Sequence, residues 1–243
     1  MAFVDDLGLQ LLLIGLVALT IFYVGVRSYI RYRTGGNDKA MSELKSSAPI
    51  LGILGSIVLL IGLWGEITWP LFTGTAGVRY NILFYDPTLL FGIILLGFAL
   101  TLAYGLRTQY VGLFAVGAGV ITIFYGVQGY NLGMTKEPLA LLGLYVAFGG
   151  AGIFTFPATL MIDRMLTARS APSESASKKE VGIAAGTLMV AAHAQKVVGQ
   201  AKYRLGIASN LSFALFLLFM IGAAALAFMI GLEAIPQHLA SAP

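Results

Sequence analysis

Six stretches of 18 to 25 residues without a single charge set the terms for this chain: 7–26, 48–65, 88–106, 110–130, 138–162 and 211–232. Lipid offers no partner to a backbone amide or carbonyl, so a segment that crosses it must pair its own polar groups, and about 20 apolar residues in a helix do so. The rest of the composition agrees. Hydrophobic residues make up 58% of the 243, charged residues 11%, and the mean hydropathy is +0.87, whereas a soluble domain carries about 25% charged residues. The sequence therefore predicts an all-α, polytopic membrane protein with six transmembrane helices. It contains no Cys, which excludes a disulfide framework, a thiolate metal site, an iron–sulfur cluster and a Cys nucleophile.

The first stretch follows Asp5 and Asp6 and precedes Arg27, Arg31 and Arg33, with no small-residue cleavage site. It is expected to stay as a helix. With six spans, thirteen of the fifteen Lys and Arg residues fall on one side, and Arg79 and Lys136 alone on the other. The positive-inside rule then places both termini outside the cytoplasm. The basic excess reads as this rule plus attraction to anionic lipid, with no need of a nucleic-acid partner. The longest loop, 163–210, is expected to be cytoplasmic. Within it 181–192 is uncharged but too short to span, so 178–203 reads as a cytoplasmic or interfacial amphipathic helix, preceded by a Ser-rich linker over 170–177.

An internal repeat is visible. Gly55, Gly62 and Gly65 in the second stretch share their spacing with Gly119, Gly126 and Gly129 in the fourth. Downstream, Tyr80-Asn81-Ile82, Asp86-Pro87, Leu90 and Gly92 match Tyr130-Asn131-Leu132, Glu137-Pro138, Leu141 and Gly143 in the same order. Spans two and three thus read as a parallel copy of spans four and five, with 66–79 as an insertion in the first copy.

Chemistry-bearing residues gather at the outer ends of these spans. Asp86-Pro87 and Glu137-Pro138 are each expected to open a returning helix, the acid capping free amides and Pro taking the first helical position. Glu66, Arg79, Tyr80, Asn81, Tyr130 and Asn131 fall on the same membrane face. With Asp86 and Glu137 they form a candidate binding cluster, in which Arg79 is expected to pair with Glu66 or Asp86. Glu66 stands between Trp64 and Trp69, where a carboxylate near the headgroup belt reaches water. No Asp, Glu, Lys or Arg lies within any of the six stretches, which disfavours a proton pump or a sodium-coupled carrier. His193 and His238 fall on opposite faces and cannot share a haem, and a copper site of His238 with Met134 is only a remote reading. Zinc-protease, phosphate-loop, nucleophile-elbow and dinucleotide motifs are absent, so no cofactor is expected.

The remaining features read as packing. Gly129 with Gly133, Gly182 with Gly186 and Ala227 with Gly231 are small-x3-small pairs. Pro157 is expected to kink the fifth span, with Thr155 and Thr159 taking up freed carbonyls. Most Tyr and Phe side chains are assigned to interfacial belts and lipid-facing packing.

The outer hairpin with Trp69-Pro70, Tyr80-Asn81-Ile82-Leu83-Phe84 and Asp86-Pro87 resembles the central signature of a family of uncharacterised multi-pass membrane proteins, a domain of unknown function found mainly in archaea and some bacteria. The resemblance implies a prokaryotic cell membrane and brings no activity, ligand or catalytic residue with it.

Three functions are weighed. The leading expectation is a non-catalytic accessory or structural subunit of a larger membrane complex, such as a respiratory, hydrogenase or oxygenase assembly, whose partners are the lipid bilayer and other membrane subunits. The alternative is a small-solute transporter or channel, which requires a polar path between the repeats. Last comes an intramembrane enzyme acting on lipid with Glu66, Asp86 or Glu137 as acid or base.

Overall fold

The computed structural model describes residues 6–70, 75–170, 210–233, 235 and 236. Five helices account for nearly all of them: α1 (Asp6–Thr68), α2 (Thr75–Tyr104), α3 (Gln109–Asn131), α4 (Pro138–Ser170) and α5 (Asn210–Glu233). Each is long and apolar enough to cross a membrane, and no strand occurs among the described residues. Their outward faces are as apolar as their inward ones. Leu60, Ile67, Leu113, Phe124, Leu139 and Leu218 are all more than half exposed, as expected where the surroundings are hydrocarbon.

Helix α1 takes in two of the six apolar stretches, so the charged segment between them is helical and not a loop. At Gly36 the backbone breaks from the helix, with φ 74° and ψ −170°, a combination open essentially to glycine alone. The chain doubles back there. Arg27 Nε lies 3.3 Å from Glu43 Oε1, and Arg31 Nε 3.4 Å from Glu43 Oε2, whereas sixteen residues of straight helix would separate the first pair by about 24 Å. Val17 accordingly packs in one cluster with Ala40, Met41 and Leu44. The two limbs, 6–35 and 37–68, are thus a helical hairpin. The second limb ends at Thr68, where Trp69 turns to a positive φ of 48° and Pro70 cannot continue the helix.

Two further boundaries differ from the sequence reading. Helix α2 begins at Thr75, so Pro87 sits inside it and Asp86-Pro87 opens nothing. Pro138, by contrast, does open α4, where the Leu141 N–H donates to the Glu137 carbonyl at 3.1 Å. Inside α4, Thr155 Oγ1 donates to the Ala151 carbonyl and Thr159 Oγ1 to that of Phe156. Neither takes the Ile153 carbonyl that Pro157 leaves without its i+4 donor. The segment 178–203, with Gly182, Gly186 and His193, lies outside the described residues, as does His238.

Packing is pairwise. The second limb of α1 lies along α2 and α3 lies along α4, and the two pairs touch each other much less. Missing side chains allow the close approach. A Cβ on Gly62 would come within 2.7 Å of the Leu89 backbone, and one on Gly119 within 2.5 Å of the Gly149 carbonyl. Around the first limb, Ala227 packs against Leu11, and Gly231 faces Leu11 and Leu12. Gly133 does not serve packing, since nothing lies within 4 Å of its Cβ position. Its φ of 58° instead ends α3, with Met134 N–H donating to the Gly129 carbonyl and Gly133 N–H to that of Tyr130, a Schellman motif.

Candidate functional site

Pro87 organises the polar centre of the bundle. It lacks an N–H, so the Leu83 carbonyl one turn earlier has no helical donor. The Tyr145 hydroxyl on α4 supplies one at 2.5 Å. One residue on, the Phe84 carbonyl accepts from Thr88 Oγ1 at 2.7 Å and from Gln10 Nε2, on the first limb of α1, at 3.1 Å. Gln10 Nε2 also donates to Thr88 Oγ1. The irregular turn of α2 is therefore completed by side chains from α1 and α4, as polar backbone in a membrane requires.

A second group lies on the far side of that turn. The Tyr125 hydroxyl on α3 donates to Asp86 Oδ2, and the Glu66 carboxyl at the end of α1 lies beside Asp86. Glu66 Oε1 is buried and has no hydrogen-bond partner. Three helices thus meet on Asp86.

Of the eight residues singled out in the sequence, Glu66 and Asp86 come together. Tyr80 reaches the loop after α3, its hydroxyl donating to the Met134 carbonyl, and stacks on Phe84 with ring centroids 6.4 Å apart. Asn81 is buried. Arg79, Tyr130, Asn131 and Glu137 are exposed, and Arg79 forms no ion pair with Glu66 or Asp86. Sequence reasoning missed Gln10, Tyr125 and Tyr145. Gln10 carries the one amide side chain of the first apolar stretch, a signal that polar residues at membrane depth seldom lack a role. The two tyrosines are indistinguishable by type from belt residues.

At the opposite end of α3, Asp163 of α4 caps the helix. Its Oδ1 accepts from Thr108 N–H at 2.7 Å and from Thr108 Oγ1 at 2.8 Å, and its Oδ2 from Gln109 N–H at 3.0 Å. Two of the amides that a helix start leaves without partners are satisfied by a carboxylate from another helix, which also complements the dipole.

Between the loosely touching hairpins lies a cavity of about 190 Å³. Its wall draws on the first limb of α1, on α2, α3, α4 and α5, and is overwhelmingly apolar, with Phe91, Leu95, Ala118, Phe148 and Met220 among its residues. Gln10, Thr88 and Tyr145 border it toward one end of the bundle and Ser28 toward the other. Two side-chain atoms of these residues, Gln10 Oε1 and Ser28 Oγ, are buried without a hydrogen-bond partner.

Over residues 1–200 the chain matches the family described as "Protein of unknown function (DUF981)", and it belongs to that family. No curated protein and no solved structure matches it.

Proposed function

We propose that this protein is a non-catalytic accessory or structural subunit of a larger membrane complex. One observation carries the reading: the polar side chains traced in the interior bind helix to helix. Tyr145 engages the Leu83 carbonyl, Tyr125 engages Asp86, Gln10 engages Phe84 and Thr88, and Asp163 engages the start of α3. The space between the hairpins is left to an apolar wall. A carrier of small polar solutes would line that space with donors and acceptors to replace water.

In this reading α1 crosses the membrane once with each limb. The protein then makes six passes through a prokaryotic cell membrane, with both termini extracytoplasmic and thirteen of fifteen basic residues inside. The second limb with α2, and α3 with α4, are two copies of one hairpin. Supporting this, Gly55, Gly62 and Gly65 all face α2, while Gly119 and Gly126 face α4 and Gly129 faces both Leu141 of α4 and Leu83 of α2. The returning helices have diverged: Gly92 faces Leu59 across its own hairpin, whereas Gly143 faces Leu226 of α5.

The test is gentle native extraction from the source membrane and identification of every co-migrating chain. A stoichiometric partner bearing haem, metal or a nucleotide site is expected and would name the complex. Migration as an isolated monomer or simple homodimer would overturn the reading.

A further inference from the structure

We propose that Arg27 and Arg31 form a binding site for the phosphate of an anionic phospholipid, whose acyl chains lie along the exposed face of the first limb of α1. The site does not depend on whether the protein has a protein partner.

Depth comes first. Arg27 directly follows the charge-free residues 7–26, which as a helix span about 30 Å, the thickness of the hydrocarbon core. On the second limb Glu43 and Trp64 are 21 residues apart, about 32 Å of helix, and Trp belongs at a headgroup belt. With Trp64 at one belt, the group of Arg27, Glu43 and Arg31 stands at the other. The group also faces outward. Tyr23, Arg27 and Arg31 recur every four residues on one face of the helix. Toward the middle of the membrane the same stripe continues through Leu19 and Leu16, which with Tyr23 are exposed and so face hydrocarbon. The Arg27 and Arg31 side chains are 41% and 47% exposed.

The chemistry then selects an anion. Two guanidinium groups share one carboxylate, Arg27 Nε at 3.3 Å from Glu43 Oε1 and Arg31 Nε at 3.4 Å from Glu43 Oε2, which leaves one positive charge in excess. Both contacts run through Nε, so the paired Nη groups of each arginine, with four N–H donors, are not spent on Glu43. A phosphate offers several acceptor oxygens to two such forks at once. The arginines are also held in place before any ligand arrives: Glu43 ties them together, and Arg27 Cζ lies over the Tyr23 ring at 5.9 Å from its centroid. Such preorganisation lowers the entropic cost of binding. Arg33 and Lys39 are exposed as well, but they lie nearer the Gly36 turn. Arg33 is six residues beyond Arg27, about 9 Å further from the hydrocarbon.

The full-length protein in dodecyl maltoside is exposed to phosphatidylglycerol bearing a diazirine on its head group, and the sites of photolabelling are mapped. Label is expected on residues 23–31 and 42–46. Unlabelled phosphatidylglycerol should compete about fivefold better than phosphatidylcholine with the same chains, the effect of one net positive charge held near a headgroup. Glycerol 3-phosphate, a phosphate without chains, should not compete at equal concentration. Arg27→Gln combined with Arg31→Gln should lose both the label and the preference, whereas Arg33→Gln combined with Lys39→Gln should keep both. The label map and the three competitors use only the unaltered protein and decide the matter even if the first variant does not fold. Label confined to residues 33–39, equal competition by the two phospholipids, or loss of the preference in the Arg33 and Lys39 variant would overturn the proposal. So would glycerol 3-phosphate competing as well as phosphatidylglycerol, which would assign the site to a soluble anion.

Discussion

The Tyr145 hydroxyl occupies the hydrogen-bonding place at the Leu83 carbonyl that the ring of Pro87 leaves open, at 2.5 Å and out of contact with solvent. A residue of α4 thus completes a turn of α2. Removing the hydroxyl leaves a buried carbonyl unpaired, so Tyr145→Phe should destabilise the protein by about 1–3 kcal/mol. Pro87→Ala restores an N–H within α2, and in the Pro87→Ala background the same Tyr145→Phe change should cost much less. Thermal unfolding of the four proteins of this double-mutant cycle in one detergent measures the coupling. Equal costs in both backgrounds would mean that Tyr145 does not serve the proline.

The break in α1 rests on one residue of an adjacent glycine pair. Gly36 holds φ 74° and ψ −170°, and a Cβ there meets nothing within 4 Å, so any penalty of Gly36→Ala comes from the backbone and not from crowding. About 1–3 kcal/mol is expected. Gly35 is the contrast. The atoms nearest its Cβ position belong to the flexible side chain of Lys39, and in helical backbone Gly→Ala gains up to about 1 kcal/mol. Unfolding midpoints shifting in opposite directions for the two variants would support the assignment, and a matched shift would refute it.

How much of this was legible in the sequence follows from which interactions are local. The apolar stretches gave helices, because in lipid the helix is forced by hydrogen bonding alone, and their length is set by the bilayer. What failed were the boundaries in charged or turn-like sequence. Residues 27–45 read as a loop from their charges, yet Arg27 and Arg31 reach Glu43 across the hairpin and Met41 and Leu44 bury in the core, so the helix continues on both sides of Gly36. Asp86-Pro87 read as a helix start because Asp and Pro favour one. The override is tertiary, since Tyr145 supplies the donor that Pro87 removes, and it is not near Pro87 in sequence. Glu66 and Asp86 were both noticed for their charge, but their pairing, and the part of Tyr125, depend on how α1, α2 and α3 meet.

Gly126 and Gly117 separate close packing from mere glycine content in α3. A Cβ on Gly126 would fall 2.3 Å from the Cβ of Tyr145, while one on Gly117 would enter open space. Gly126→Ala must therefore push α3 from α4, disturbing the residue that pairs with Leu83, and a loss of about 1–3 kcal/mol is expected. Gly117→Ala should be neutral or slightly stabilising. Both are read from thermal unfolding in detergent, and a Gly126→Ala protein as stable as the parent would contradict the packing described.

Asp163 offers the sharpest test of helix capping across the bundle. Its carboxylate accepts from two backbone amides and one hydroxyl at the start of α3, and both Asp163 and Thr108 are buried. Asp163→Ala leaves those amides without a partner and removes a negative charge from the positive end of a helix dipole. Capping losses of about 0.5–2 kcal/mol add here to burial of an unsatisfied donor, so about 2–3 kcal/mol is expected. Asp163→Asn keeps one acceptor oxygen and should lie between Ala and the parent. Thr108→Val deletes only the hydroxyl and leaves the amide bonds, so it should cost less than Asp163→Ala. Hydrogen exchange at Thr108 and Gln109 makes the cause visible: both amides should lose protection in Asp163→Ala and keep it in Thr108→Val. A stability loss without that local exchange would place the role of Asp163 elsewhere.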